Sequence, residues 1–260
     1  MRQNALRVLL DSGGVAVGTF LNFPDPGLVE FTGLCGFDWV LFDAEHEGFR
    51  VPECYDLVRA ADAVGLGTVI RVPKNSPDVL LGYAETGANA LLAPHVASAE
   101  DARLLVESLA FPPGGNRGVS VNSRAANYGL TQQPSEYLAA ADQHTIPMAL
   151  LEDDIALADL DAVLEVFGLD VFAIGPGDLA AAMSLPGQPG HPRVKEKIEV
   201  MAERLEATGK TLCYPSSSPT DAETALALGA RLLVTSNAGL LRGAMSDFLA
   251  RVRPLRPQGA

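Results

Sequence analysis

The stretch GFDWVLFDAEHEGFRVPECYDLVRAADAVGLGTVIRVP, residues 36–73, carries the period that decides the fold. Trp39–Phe42 is a short apolar run of the kind that forms a parallel strand buried on both faces. Val51–Val64 is a longer amphipathic segment with helical spacing, and Thr68–Val72 is a second β-branched run. Gly65–Gly67 lies between helix and strand, where a glycine ends one and releases the chain into the other. Strand, helix and strand in immediate succession form a βαβ unit, whose two strands must be parallel.

The same alternation continues outward in both directions. Further strand-like runs fall at Val15–Phe23, Ala90–Ala93, Pro147–Leu151, Val171–Ile174, Thr211–Tyr214 and Leu232–Thr235. Helix-like segments separate most of them, at Ser76–Thr86, Ser98–Ala110, Asp154–Phe167, His191–Ala207 and Pro219–Leu228. Gly87–Ala88, Gly168 and Gly229–Ala230 each stand between a helix and the next strand. About eight such repeats predict an α/β fold whose sheet closes into a (β/α)8 TIM barrel, and the 260 residues suit a single domain over 1–260. Length alone leaves an open Rossmann-type sheet as the alternative. Phe111 to Gln133, rich in Gly, Pro, Asn and Ser, interrupts the alternation, and a loop of that length in a compact domain is more often functional or interfacial than idle. The charged, Pro-containing tail Arg253–Ala260 reads as a frayed end.

Apolar residues make up 48% of the chain and aromatics only 6%, which suits strands packed under helices. The net charge of −13 repels nucleic acid and anionic membranes, so neither is expected as a partner. No apolar run approaches the ~18 residues of a membrane span, and no signal-peptide layout opens the chain, so a cytoplasmic protein is expected. Cys35, Cys54 and Cys213 are odd in number and far apart, as reduced thiols in a cytosol would be.

In a barrel of this kind the reactive groups gather on the loops after the strands. There the sequence sets Asp43-Ala44-Glu45-His46, then Arg71, then Glu152-Asp153-Asp154, then Gly175-Pro176-Gly177-Asp178. Singly, each has a plain structural reading: Glu152 and Asp178 as first-turn acids of helices, Arg71 as a tether, His46 as a rim histidine. Together they outline a site. Two carboxylates with no Cys or His at ligand spacing suit a hard divalent cation, Mg2+ or Mn2+, rather than zinc. Such an ion would chelate a 2-oxo acid and stabilise its enolate, with Arg71 sharing the charge. The Gly177 and Asp178 amides would hold the substrate carboxylate, and His46 would carry the proton, oriented by Asp43 or Glu45. A Schiff-base lysine is the competing strategy, but Lys74, Lys195, Lys197 and Lys210 all fall outside the inward strand positions. No Walker A loop or Gly-x-Ser-x-Gly elbow occurs.

The strings Gly36–His46, Ile70-Arg71-Val72-Pro73, Phe111–Val119, Leu151-Glu152 and Ile174–Leu179, followed by Gly190-His191-Pro192, resemble the HpcH/HpaI aldolase/citrate lyase family over nearly the whole chain. The resemblance implies a class II pyruvate-type aldolase on a phosphoenolpyruvate/pyruvate barrel, assembled as a homohexamer with its C-terminal helix, about 240–252, exchanged between subunits. It implies Glu152 and Asp178 as metal ligands, Arg71 on the keto oxygen, His46 with Asp43 as a base dyad, and the Gly177–Asp178 amides as a carboxylate clamp. Two positions depart from the family's pattern. Glu85 stands in Ala84-Glu85-Thr86-Gly87 where an aspartate that supports the histidine across a subunit boundary is usual, and Leu150 stands where glutamine is frequent. His95, in Pro94-His95-Val96, replaces a common methionine and adds a second candidate proton donor or a packed rim histidine. The expected reaction is reversible cleavage of a 4-hydroxy-2-oxo acid to pyruvate and an aldehyde. The alternatives are an oxaloacetate-using decarboxylase or citrate-synthase-like enzyme on the same barrel, and a non-catalytic oligomeric binding protein, which the retention of all the site groups disfavours.

Overall fold

The computed structural model describes residues 3–154 and 158–255. Eight parallel strands close in sequence order into a barrel: β1 Ala16–Leu21, β2 Trp39–Asp43, β3 Gly67–Arg71, β4 Ala90–Ala93, β5 Ile146–Leu151, β6 Val171–Ile174, β7 Thr211–Pro215 and β8 Ala230–Ser236, with β8 pairing back onto β1. This is the (β/α)8 fold that the alternation predicts, and it removes the open-sheet alternative.

Two apolar layers follow from the two-residue period of the strands. On β2, Val40 and Phe42 face the helices while Trp39 and Leu41 face the barrel axis. The interior layer continues through Val69, Ala90, Leu92, Met148, Leu150, Val171 and Ala173. Trp39 is wholly buried and its ring lies against Gly18 of β1, where a Cβ would stand 2.2 Å from the indole. Glycine is required there because the ring occupies the space a side chain would need.

The helices are α1 Ala5–Asp11, α2 Pro26–Leu34, α3 Val51–Val64, α4 Pro77–Ala84, α5 Ala99–Leu109, α6 Pro134–His144, α7 Leu160–Leu164, α8 Pro176–Ala182, α9 Pro192–Ala207, α10 Pro219–Ala227 and α11 Asn237–Val252. Sequence patterning did not find α1, α2 or α6, whereas the helix opening at Gly177 and Asp178 after strand six is α8. Leu6 and Leu10 of α1 belong to the interior layer with Trp39, so this helix closes the N-terminal mouth of the barrel. The helix expected over Asp154–Phe167 is only the short α7, with residues 155–157 outside the described part of the chain, as are residues 256–260 of the tail. Gly65, Gly87, Gly168 and Gly229 each take positive φ between a helix and a strand, as their positions predict.

The stretch between α5 and α6 follows a helix and therefore lies at the N-terminal end of the barrel, away from the loops that follow strands. It contains a cis Pro112–Pro113 bond. Arg117 is buried over the Phe111 ring and bonds Glu85, while Arg124 is buried on Asp62 and the Thr86 carbonyl. Two interior arginines thus pin a segment that composition alone marks as irregular.

Candidate active site

The inward series of each strand, continued one step past the apolar layer, delivers the polar groups. After Trp39 and Leu41 comes Asp43; after Val69, Arg71; after Met148 and Leu150, Glu152; after Val171 and Ala173, Gly175. Asp43 and Arg71 are register partners on β2 and β3. Asp43 is fully buried and accepts from Arg71 Nε at 2.9 Å and Nη2 at 2.7 Å. It also accepts the backbone N–H groups of Glu45 at 3.0 Å and His46 at 3.2 Å. Burial pushes the Asp43 carboxyl up, but the hydrogen bond and charge of Arg71 and the two amides outweigh it, so the group titrates below the ordinary carboxylate range. Arg71 stacks over Phe20 at 5.4 Å, and its Nε lies 3.4 Å from Glu45.

Across the mouth, Glu152 is 3% exposed. Desolvation raises its carboxyl to about 7; the amide and ring of His95 oppose the rise, and the neighbouring Asp178 and Glu45 carboxylates add to it. His95 has φ +55°, a left-handed backbone that directs its N–H to Glu152 Oε1 at 3.1 Å. Its ring meets Asp153 at 3.2 Å and comes within 3.9 Å of Glu45. Burial lowers the imidazole pKa, yet Glu152, Asp153 and Glu45 raise it more, so the ring is held above the ordinary histidine value. Gly175 leaves room for the acid, because a Cβ there would stand 3.2 Å from Glu152 Oε2. Arg71, Glu152 and Asp178 line one cavity of about 210 Å³ at the C-terminal end of the barrel. Among the described residues, no three His, Cys, Asp or Glu side chains converge as a complete metal cage. A carboxylate raised chiefly by burial, and a pair of acids short of a full cage, fit a hard cation that keeps positions for water and substrate oxygens.

A family model for HpcH/HpaI aldolase/citrate lyase matches residues 16–233. The chain belongs to this family. It is 34% identical over 231 residues to the 2-keto-3-deoxy-L-rhamnonate aldolase of Salmonella dublin, covering 88% of this chain and 85% of that protein. Among solved structures it resembles an HpcH/HpaI aldolase/citrate lyase family protein from Burkholderia cenocepacia J2315, with TM-score 0.91, 26% identity and coverage of 96% of this chain and 100% of that one. It also resembles the citrate synthase SbnG, with TM-score 0.87, 25% identity and coverage of 97% and 98%. The protein is an aldolase, a carbon–carbon lyase.

In this aldolase the side chains expected to form a base dyad are not paired with each other. The Asp43 carboxylate is occupied by Arg71, and only the backbone N–H of His46 reaches it. The His46 ring is 60% exposed, and its Nε2 lies 3.6 Å from Glu45 Oε2. Of the two carboxylates considered for orienting the histidine, Glu45 is therefore the one beside the ring. Glu85 does not approach the site within the chain: it caps the C-terminus of α4 at the other end of the barrel and bonds Arg117 at 3.0 Å. Among the described residues, no lysine lines the cavity. Lys197 binds Asp154 and Lys210 binds Asp170, which removes both from any Schiff-base role. Sequence reading missed Phe20 beneath Arg71 and the link of His95 to Glu152. The first was findable as an inward position on β1; the second depends on a backbone angle that residue type does not reveal.

Proposed function

We propose that this aldolase depends on a divalent cation, Mg2+ or Mn2+, held by Glu152 and Asp178, and reversibly cleaves a 4-hydroxy-2-oxo acid to pyruvate, or a close 2-oxo acid, and an aldehyde. The observation that carries the reading is that the carboxylates of Glu152 and Asp178 share one cavity with the half-buried Arg71 guanidinium, which Asp43 already pairs, an arrangement short of positive charge until a cation joins it. The cation supplies Lewis acidity toward the two oxygen-bearing groups of a 2-oxo acid. Arg71, fixed by Asp43, donates to the keto oxygen on which negative charge accumulates during C–C cleavage. The Gly177 and Asp178 amides, in the first turn of α8 and so without intrahelical acceptors, receive the substrate carboxylate. His46, exposed on the rim beside Glu45, takes and returns the proton.

The Salmonella dublin relative is named for 2-keto-3-deoxy-L-rhamnonate, itself a 2-oxo acid, which supports this substrate class. The likeness to a citrate synthase favours one second reading, an oxaloacetate-using decarboxylase or condensing enzyme. The protein is proposed to work as a cytoplasmic homohexamer, with Glu85 near a subunit boundary and α11 exchanged between neighbours. The exposed Leu240, Met245 and Phe248 on α11 support that docking. None of the described helices is long and apolar enough to cross a membrane.

The test is deuterium exchange into the methyl group of pyruvate, followed by NMR, with a parallel arm following oxaloacetate loss. Chelator should abolish exchange and Mg2+ or Mn2+ restore it. His46→Ala should slow exchange by about 10² to 10⁴ at unchanged Mn2+ affinity. Full activity after chelation excludes the metal, and wild-type exchange in His46→Ala excludes that base.

A further inference from the structure

The floor of the active-site cavity is unlike its rim. Every strand except β3 gives it an apolar side chain, Leu92, Leu150, Ala173 and Cys213 among them, and only β3 contributes a polar one, Arg71. Leu150 adjoins the acids: it lies one inward step below Glu152, is 5% exposed, and its Cδ1 is 3.5 Å from where a Gly175 Cβ would be. Glu152 Oε2 lies 3.2 Å from that same point. A small molecule held at Glu152 therefore rests on the Leu150 methyl groups.

Leu150 offers no hydrogen bond, so a substrate oxygen turned toward it would be desolvated without a partner, whereas carbon is favoured. On the reading given above, both oxygen-bearing groups of a 2-oxo acid are drawn toward the Arg71, Glu152 and Asp178 side of the cavity. What remains to face the floor is carbon 3 and its substituents. Pyruvate carries only hydrogens there, and its six heavy atoms are few for a cavity of about 210 Å³.

We propose that Leu150 selects a donor bearing an alkyl group on carbon 3, a 2-oxo acid of four or more carbons, over pyruvate. The cleaved substrate is then a 3-alkyl-4-hydroxy-2-oxo acid. The balance of the reaction is unchanged. The C4 hydroxyl loses its proton, the C3–C4 electron pair becomes the C2–C3 double bond of the enolate, C4 departs as the aldehyde, and one proton returns to C3.

This inference rests on the 2-oxo acid reading, and the experiment separates the two. Binding of pyruvate and 2-oxobutanoate to the Mn2+-supplied enzyme is measured by calorimetry, alongside exchange of their C3 protons with deuterium. One methylene in an apolar pocket is worth at least about tenfold, so 2-oxobutanoate should bind about ten times more tightly. Leu150→Gln should bring the ratio close to one, and Leu150→Met, apolar and of similar volume, should keep it. Equal or tighter binding of pyruvate by the wild type overturns the proposal even if Leu150→Gln does not fold, as does an unchanged ratio in a folded Leu150→Gln. Binding and exchange of neither acid overturns the 2-oxo acid reading and this inference with it, whereas exchange of pyruvate with no preference overturns the inference alone.

Discussion

Asp43→Asn keeps the shape of the side chain and removes the charge that faces Arg71. The wild-type carboxylate receives two charge-assisted bonds, at 2.9 and 2.7 Å, and each such bond contributes about 1.5–3 kcal/mol. An amide offers Arg71 one acceptor and turns an NH2 toward the other donor. Breaking a buried ion pair from one side costs about 3–5 kcal/mol. The low end applies here, because Arg71 keeps Glu45 at 3.4 Å and the Phe20 ring at 5.4 Å. A loss of about 3 kcal/mol is therefore expected, read as a lower urea midpoint at unchanged m-value.

The pH dependence of that loss follows from the direction of the shift. The Asp43 carboxyl is held below its ordinary value of 3.8, so the unfolded chain binds its proton more readily. The stabilisation is complete above that value and disappears as pH falls through the lower, folded-state one. Wild type and Asp43→Asn should thus differ by a constant amount from about pH 5 upward and converge below about pH 4. A double substitution with Arg71→Met tests the pairing itself, and its cost should fall short of the sum of the single costs by at least about 1 kcal/mol. A loss under about 1 kcal/mol at pH 7, or strict additivity, refutes the reasoning.

Glu152→Gln should raise the melting temperature of the metal-free protein at pH 7.5 and leave it unchanged near pH 4, because a carboxyl raised from 4.5 to about 7 destabilises the fold progressively as pH climbs through that window. Scanning calorimetry checks this, and equal melting at both pH values sinks the assignment. Gly175→Ala introduces a Cβ 3.2 Å from the Glu152 carboxylate and should weaken Mn2+ binding by about tenfold, measured as free Mn2+ by electron paramagnetic resonance. Unaltered affinity would mean that Glu152 is not a ligand or gives way freely. Met245→Lys with Phe248→Lys, both exposed on α11, should reduce the proposed hexamer to smaller species by light scattering. An unchanged mass shows that α11 does not dock on a neighbour.

Most of the barrel was legible because its signals are local. Apolar runs of the right length, separated by helical spacing and by glycines at positive φ, need no knowledge of distant residues. Helix α1, which escaped notice, is held by contacts far away in the chain. In α1, Leu6 and Leu10 pack on Trp39, and Asn4 reaches the Asn89 carbonyl at 2.9 Å, so nothing in the short segment itself announces its place. The shortened α7 has the same cause: Asp154 is drawn to Lys197, and Asp159 accepts the Ala99 amide at 2.8 Å rather than capping its own helix.

The site divides along the same line. That Arg71 and Glu152 reach one cavity, with Asp43 buried level with Arg71, follows from counting inward positions by twos past an apolar run, and the sequence permits that count. Which of them bind one another does not follow, because it is set by the register between strands. The spacing Asp43-x-x-His46 suggests a dyad by proximity along the chain. Across the sheet, however, Asp43 is level with Arg71, and a rigid guanidinium two bonds deep in that carboxylate leaves the exposed imidazole only a backbone link to it. On the proposed mechanism this geometry would divide the labour: Asp43 would fix Arg71, while Glu45, adjacent to both Arg71 and His46, would connect charge stabilisation to proton transfer. A motif read along the chain supplies candidate residues; which of them pair is set by the neighbouring strand.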